Sequence, residues 1–132
     1  MKKILIINAV YYSNINKELL RTSKKLLLKE KMSYTEIIVP GVFEIPVVIS
    51  RHIKQYDGFL ALGCVIKGKT PHFDLISRST FDGIMNISIL YKKPIGNGII
   101  TALNMKQANF RSGTKGIEAA NAVIAVLKNA KK

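Results

Sequence analysis

The sequence has little of several things, and each shortage narrows what the protein can be. Its 132 residues contain one cysteine, Cys64, and no tryptophan, so an internal disulfide is excluded and a small buried thiol in the reducing cytoplasm is the simplest interpretation. No apolar run approaches the roughly 20 residues of a membrane-spanning helix, so we expect a soluble protein with no membrane partner. With 48% hydrophobic and 22% charged residues, the chain can bury its own core, and we predict one domain over residues 1–132.

Acidic residues are also scarce, with eight against 21 basic ones and a formal net charge of +13. Such a charge is typical of proteins that bind nucleic acid. However, the basic residues are mostly lysines, whereas recognition of phosphates and bases favours the arginine fork. No aromatic-basic RNA signature accompanies them. We therefore interpret the charge as a solvated surface and expect no nucleic-acid partner, and a basic nucleic-acid-binding module remains an alternative.

Four apolar segments rich in β-branched residues are each followed by a segment with helical periodicity. Near-continuous apolar runs are typical of strands covered on both faces of a parallel sheet. Four such units without hairpin signals predict an α/β fold of three layers, a four-stranded parallel sheet with helices on both faces. Ligands of such sheets bind beyond the carboxyl ends of the strands. The predicted strands span residues 3–10, 34–39, 58–66 and 94–101. The first predicted helix begins at a cap formed by Asn14 or Asn16, and the later predicted helices span residues 42–55, 72–92, 104–111 and 117–128.

The second predicted helix brings a carboxylate to its start. Pro46 is tolerated only in the first helical turn, so Glu44 must lie at the helix N-terminus. A carboxylate there usually complements the helix dipole, although it can also anchor a ligand. In the last part of the chain, Gly113 and Gly116 predict a break between two helices.

A nucleotide-binding pattern follows the third strand. Gly63, Gly68, Lys69 and Thr70 satisfy G-x-x-x-x-G-K-T. In a true nucleotide loop the residues between the two glycines curl around phosphate oxygens. Here they include Val65 and Ile66, which favour strand. We therefore interpret the match as chance and keep a P-loop-like nucleotide-binding protein as an alternative.

What remains of the pattern is an anion site with a histidine beside it. Pro71 keeps Thr70 out of helical geometry. The residues from Gly68 to Thr70 can still direct backbone amides and a helix N-terminus at one phosphate group. His72 follows directly, and an imidazole beside an anion suits proton transfer. From the residues alone, the chain is an α/β domain that binds a small phosphorylated molecule.

Three segments together resemble the lumazine synthase family. Residues 39–46 (Val-Pro-Gly-Val-Phe-Glu-Ile-Pro) and 62–74 (Leu-Gly-Cys-Val-Ile-Lys-Gly-Lys-Thr-Pro-His-Phe-Asp) resemble its signature segments, and residues 94–101 follow in the family's order. The resemblance spans nearly the whole chain and implies a flavodoxin-like fold. The tail continues it with Asn104, Gln107, Ala108, Arg111, Lys115 and Gly116.

The resemblance implies a transferase of riboflavin biosynthesis that needs no metal or cofactor. The family condenses 5-amino-6-(D-ribitylamino)uracil with 3,4-dihydroxy-2-butanone 4-phosphate, which gives 6,7-dimethyl-8-ribityllumazine and phosphate. His72 matches the family's proton-transfer residue. The resemblance assigns the ribitylaminouracil to Tyr11, Val42, Phe43, Glu44, Val65, Ile66, Asn97 and Lys115, and the butanone phosphate to Gly68, Lys69, Thr70 and Arg111.

The same resemblance implies a homo-oligomer, a pentamer or a multiple of it, with sites between subunits. Asn97, Arg111 and Lys115 match positions that a neighbouring subunit contributes. The chain also departs from the family's pattern. Tyr12 replaces an asparagine, Lys69 a frequent glutamate and Asn97 a frequent aromatic residue, and the segment between Arg111 and Lys115 is short.

Overall fold

The computed structural model describes residues 1–129, in which four strands and four α-helices alternate along the chain. The predicted strand bounds agree with the observed ones to within about one residue at most ends, because each strand is an apolar run closed by a polar or turn-forming segment. The elements are β1 (Lys3–Ala9), α1 (Ser13–Lys29), β2 (Ser33–Val39), α2 (Ile45–His52), β3 (Gly58–Ile66), α3 (His72–Tyr91), β4 (Ile95–Ala102) and α4 (Met105–Asn129).

The four strands form one parallel sheet in the order β2-β1-β3-β4. This order matches the first four strands of the flavodoxin-like arrangement, in which the chain reverses direction across the sheet after β2. The crevice at that reversal lies beyond the carboxyl ends of β1 and β3. The predicted fold class is confirmed, and the topology itself indicates where a ligand would bind.

Two apolar cores cover the two faces of the sheet, as a three-layer fold requires. Alternate residues of the strands point to opposite faces, so β1 contributes Ile4 and Ile6 to one core and Leu5 and Ile7 to the other. The first core is closed by α1 and α4, and the second by α2 and α3.

Helix α4 is continuous, so the predicted break between residues 111 and 117 is wrong. A Cβ added at Gly113 would meet nothing within 4 Å, and no glycine has a positive φ. Gly113 is therefore an exposed glycine tolerated within a helix. At Gly116 a Cβ would lie 2.5 Å from the Leu19 carbonyl oxygen, so this glycine allows α1 and α4 to approach closely. Close packing, and not a turn, explains the second glycine.

The segment before α2 is a tight turn that Glu44 holds in place. Residues Val42–Glu44 form a single turn of 3₁₀ helix, and α2 proper starts only at Ile45. The Gly41 backbone N–H donates to Glu44 Oε1 at 3.0 Å. Pro46 lies in the first turn of α2, as predicted. His52, the last residue of α2, is half-buried, and its Nδ1 lies 2.9 Å from the Val48 carbonyl oxygen.

The start of α1 differs from the prediction that Asn14 or Asn16 caps it. Helix α1 begins at Ser13, after Tyr12, and no side chain caps its N-terminus. Asn16 is instead fully inside the first turn and is buried, with 1% of its surface exposed. Its amide bonds to the preceding strand, as described below.

Candidate active site

A cleft of about 250 Å³ opens at the carboxyl ends of β1 and β3, beside the start of α3. This is the crevice that the strand order indicates. The cleft exists because three chain segments leave the sheet here, after β1, after β2 and after β3. From the predicted site residues it gathers Tyr11, Val42, Val65, Ile66 and His72.

A second cleft of about 370 Å³ continues the first on the side of the turn after β2. Both clefts are lined by Gly41, Val42, His72 and Ile76, so they form one groove. The second cleft adds Phe43 and Glu44 to the predicted residues. His72 therefore lies between the tyrosine end of the groove and the Glu44 end.

Two tyrosines form the first end of the groove. Tyr11 is 76% exposed, whereas Tyr12 is half-buried against the α1 side of the core. Their ring centroids are 4.9 Å apart with an interplanar angle of 80°, an edge-to-face pair that keeps a face of Tyr11 open. Burial, with a smaller contribution from Tyr11 and Cys64, raises the pKa of the Tyr12 phenol. The Tyr12 phenol is therefore uncharged at physiological pH, and the side chain lines the groove without a charge.

The turn that joins β3 to α3 forms the rim of the groove. Gly68, Lys69 and Thr70 are exposed and lie between Ile66 and His72, both of which line the cleft. A Cβ added at Gly68 would meet nothing within 4 Å, so a ligand can approach the backbone here. The His72 backbone N–H donates to Thr70 Oγ1 at 3.4 Å, a long bond that holds the turn weakly. Gly68 to Thr70 are therefore an exposed stretch of backbone that is held weakly, although the Lys67 N–H ties the start of the turn to the Ala102 carbonyl oxygen at 2.9 Å.

The first glycine of the nucleotide-binding pattern has a structural role. Strand β3 runs through Gly63 to Ile66, and α3 begins at His72, as predicted from the stiffness of Val65 and Ile66 and from Pro71. A Cβ at Gly63 would lie 2.5 Å from Val42 Cγ1. Gly63 thus makes room for the turn after β2, and the phosphate-cradling loop of a nucleotide site is absent from this segment.

Three of the predicted residues lie away from the groove. Arg111 and Lys115 line a separate cleft of about 260 Å³ between β4 and α4. Arg111 Nη1 donates there to the carbonyl oxygen of Thr101 at the end of β4. Asn97 lies on the edge strand β4, where its side chain accepts from the Ile99 N–H at 3.0 Å. The predicted site residues therefore fall into two separate clefts of one chain, with Asn97 outside both.

Two groove residues were missed by sequence reasoning. Cys64 lines the cleft beside Tyr12, and Ile76 lies one helical turn after His72 on the same face of α3. The period of the helix could have predicted Ile76. Burial raises the pKa of the Cys64 thiol to about 11, so the thiol is protonated at neutral pH and is a poor nucleophile. Cys64 contributes to the wall of the groove and not to its reactivity.

Neither a metal centre nor a membrane span is found in the part of the chain that the structure describes. Among residues 1–129, no three His, Cys, Asp or Glu side chains are grouped so that they could hold a metal ion. Across the same residues, none of the helices combines the length and apolarity needed to cross a bilayer.

The fold and the groove define a class: a doubly wound α/β protein with an exposed glycine-containing turn, an open aromatic face and a histidine at one topological switch point. Sequence comparisons agree. A sequence profile of 6,7-dimethyl-8-ribityllumazine synthase matches residues 1–131. The chain is 39% identical over 136 residues to 6,7-dimethyl-8-ribityllumazine synthase of Bartonella bacilliformis, an alignment that covers 95% of this chain and 90% of the relative.

It is 36% identical over 140 residues to the synthase of Campylobacter concisus, with 99% of this chain and 90% of the relative covered. The synthase of Methylocella silvestris is 36% identical over 133 residues, with coverages of 92% and 81%. The chain belongs to the 6,7-dimethyl-8-ribityllumazine synthase family. The predicted family is thereby confirmed, and the comparisons support neither the nucleotide-binding nor the nucleic-acid-binding alternative.

Proposed function

We propose that this groove catalyses the family's reaction, the condensation of 5-amino-6-(D-ribitylamino)uracil with 3,4-dihydroxy-2-butanone 4-phosphate. The observation that carries the proposal is that one groove joins Tyr11, His72 and Glu44, residues that lie far apart in sequence but match the family's motifs. The substrates bring their own amine, ketone and phosphate leaving group. The protein's task is to hold them together and to move protons.

The pyrimidine half of the proposal uses the two ends of the groove. The open face of Tyr11 stacks on the pyrimidine ring, and main-chain groups of Val65 and Ile66 hold the ring's polar edge. Val42 and Phe43 border the ribityl chain. Glu44 already accepts the Gly41 N–H through Oε1, and no other hydrogen bond to its carboxylate is formed within residues 1–129. Its second oxygen is the acceptor we assign to ribityl hydroxyl groups.

The phosphate half uses the turn after β3. Backbone amides from Gly68 to Thr70 and the N-terminus of α3 face the phosphate group, and Lys69 adds positive charge. Phosphate is lost as the four-carbon substrate is consumed, so a site for the phosphate dianion holds both substrate and leaving group. Arg111 supplies bidentate hydrogen bonds to the same phosphate.

His72 is the proton-transfer residue of the proposal. It lines both clefts of the groove and follows the phosphate turn directly in the chain. Imine formation releases water from the amine and the ketone, phosphate elimination removes a proton from carbon, and ring closure moves further protons. A single imidazole at this position can transfer the protons of all these steps.

We infer that the complete site forms between two copies of the chain. Arg111 and Lys115 line a cleft between β4 and α4 that shares no lining residue with the groove, and Asn97 lies within the edge strand β4, so we assign these three residues to the site of a neighbouring copy. Large apolar side chains on the outer face of α3 support an interface: Leu75, Met85, Ile89 and Leu90 are all exposed. The family resemblance favours a pentamer or a multiple of it. The single unreactive thiol is consistent with a cytoplasmic enzyme.

The direct test is incubation of the purified protein with both substrates while the fluorescent lumazine product is followed. We expect product together with one phosphate released per turnover. Absence of product from a folded oligomer would overturn the proposal.

Mixing two inactive variants tests the shared site. His72→Ala and Arg111→Ala each disable one half, so oligomers assembled from a mixture should regain roughly a quarter of wild-type activity when equal amounts pair at random and the halves come from different chains. Each variant refolded alone is the control. No recovery on mixing would place Arg111 and His72 in the same chain's site.

A further inference from the structure

A buried polar chain links three elements directly beneath the tyrosine end of the groove. Asn16 of α1 donates from Nδ2 to Asn8 Oδ1 at 2.7 Å and also to the Ala9 carbonyl oxygen. Asn8 of β1 in turn donates from Nδ2 to Glu36 Oε2 of β2 at 3.1 Å. Asn8 and Asn16 are 4% and 1% exposed. The chain of bonds therefore runs from the edge strand through β1 to the first turn of α1.

The hydrogen bonds of Asn8 and Asn16 take the place of the side-chain cap that usually holds a strand-to-helix turn. The last backbone bond of β1 to its neighbour is from the Val10 N–H to the Val39 carbonyl oxygen at 3.1 Å. Helix α1 starts at Ser13 without a side-chain cap. Only Tyr11 and Tyr12 lie between these two points. The side chain of Asn16 is thus the tie that joins the far end of this turn back to the strand.

Burial of the two side-chain amides of Asn8 and Asn16 lowers the stability of the fold. The other buried residues of β1 are apolar, and Asn16 Oδ1 has no hydrogen-bond partner in residues 1–129. An unpaired buried oxygen lowers stability, and such groups in native proteins call for an explanation in function or in positional specificity. Aliphatic side chains at both positions would remove that cost. They would also release the turn that carries the tyrosines.

We propose that Asn16 and Asn8 are positioning residues that fix the β1–α1 turn so that Tyr11 presents its face to the pyrimidine substrate. Glu36 anchors this amide chain from the edge strand. None of the three touches the substrate in this assignment. The role of Tyr11 rests on the proposed function, whereas the rigidity of the turn does not.

The first variant for a test is Asn16→Ala. It should raise KM for the ribitylaminouracil about tenfold, because a small misplacement of a binding group weakens binding strongly. The value of kcat and the KM for the butanone phosphate should stay within about twofold, since neither the proton-transfer residue nor the phosphate turn moves. Ser23→Ala is the matched control: Ser23 is buried on the same helix and, among the residues that the structure describes, donates only to the Leu20 carbonyl.

A pair of variants at Glu36 tests the outer end of the chain without disturbing the core. Glu36→Gln retains an oxygen that accepts from Asn8 Nδ2, so KM should be close to that of the wild type. Glu36→Ala loses the acceptor and should raise the same KM about threefold. Because Glu36 is only partly buried, both variants are expected to fold even if Asn16→Ala does not.

Hydrogen exchange separates this proposal from the proposed function. The amides of Val10 and Asn16 bracket the turn, and both are hydrogen-bonded. They should exchange at least about tenfold faster in Asn16→Ala and at the wild-type rate in Ser23→Ala. Unchanged exchange and unchanged KM, or an equal rise of KM in Ser23→Ala, would overturn the positioning role. A wild-type protein that makes no product would instead overturn the proposed function and leave the exchange result to decide this one.

Discussion

Two turns border the same groove, and they are held in opposite ways. The turn over residues 40–44 is fixed: Glu44 accepts the Gly41 N–H, and Val42 is 6% exposed above Gly63. The turn over residues 67–71 is exposed along its whole length. At its start the Lys67 N–H donates to the Ala102 carbonyl oxygen at 2.9 Å, whereas the described hydrogen bonds of Gly68 to Thr70 amount to one long bond, which Thr70 Oγ1 accepts from the His72 N–H at 3.4 Å. The half of the groove that we assign to the ribityl chain is therefore preorganised by its own chain. In our proposal, the half that we assign to the phosphate is completed only by its ligand and by a neighbouring copy.

The largest effect is expected from Gly63→Ala, which disturbs the fixed turn from below. The new methyl group would lie 2.5 Å from Val42 Cγ1, and overpacking of this kind costs about 1–3 kcal/mol. We expect a lower midpoint of thermal unfolding and a loss of product formation of more than about tenfold, because the displaced turn carries Glu44. Thermal unfolding and the lumazine assay measure both.

Gly113→Ala is the matched control for that variant, since its Cβ meets nothing and it lies in a helix. It should be as stable as the wild type or more stable by up to about 1 kcal/mol. If Gly63→Ala were as stable and as active as Gly113→Ala, the fixed character of the 40–44 turn would have to be abandoned.

The next effect in size is expected from Glu44→Ala, which removes the acceptor within the fixed turn. A hydrogen bond to a charged group is worth about 1.5–3 kcal/mol, or roughly tenfold to hundredfold in binding. KM for the ribitylaminouracil should rise by that factor, and KM for the butanone phosphate should change little. Glu44→Gln keeps an acceptor for the Gly41 N–H, so it should lose only the part of the binding free energy that comes from the carboxylate charge. Equal effects of both variants on both substrates would contradict the division of the groove into two halves.

A smaller effect, confined to the other substrate, is expected from Gly68→Ala on the open turn. The methyl group meets no protein atom within 4 Å and the φ of Gly68 is not positive, so stability should be unchanged or slightly higher. A phosphate that approaches the backbone would meet it, so KM for the butanone phosphate should rise about threefold to tenfold. Steady-state kinetics with each substrate varied in turn give the measurement. A rise for the ribitylaminouracil instead would show that the turn serves the other half.

The smallest effect concerns Cys64, which lies in the groove wall between the two turns. Burial raises the pKa of its thiol to about 11 in the folded protein, so the unfolded chain loses this proton at lower pH. The stability that the buried thiol contributes is therefore complete below about pH 9 and is lost as the pH rises towards 11. Urea unfolding between pH 8 and 11 should show a steeper decline for the wild type than for Cys64→Ser. Parallel declines would mean that the thiol titrates alike in both states.

Most of the fold could be predicted from the sequence because parallel strands buried on both faces leave long apolar runs. The break predicted in α4 failed for a physical reason: glycine also serves where two helices come close, as Gly116 does against Leu19. The cap predicted for α1 failed because the side chain of Asn16 bonds to the strand. A local sequence pattern does not show with which distant residue a polar side chain will form a hydrogen bond.

The groove could be predicted as far as it depends on strand ends. Tyr11, Glu44 and His72 each follow a strand or open the helix after one, and parallel strands bring such positions together. Arg111 and Lys115 could be assigned only through the family resemblance. In our proposal, their place in the site depends on how copies of the chain contact each other. The residues that determine such contacts are scattered over the surface and leave no periodic pattern in the sequence.

The uninterrupted helix α4 fixes the distance between the charged side chains that it carries. Arg111 and Lys115 are four residues apart on one helical face and line one cleft, so their Cα atoms are separated along the axis by about 6 Å. Each residue inserted between them would turn Lys115 about 100° around the axis. The spacing of the two cations can therefore change only in steps of about one helical turn, and single-residue insertions there should cost the cleft one of its charges.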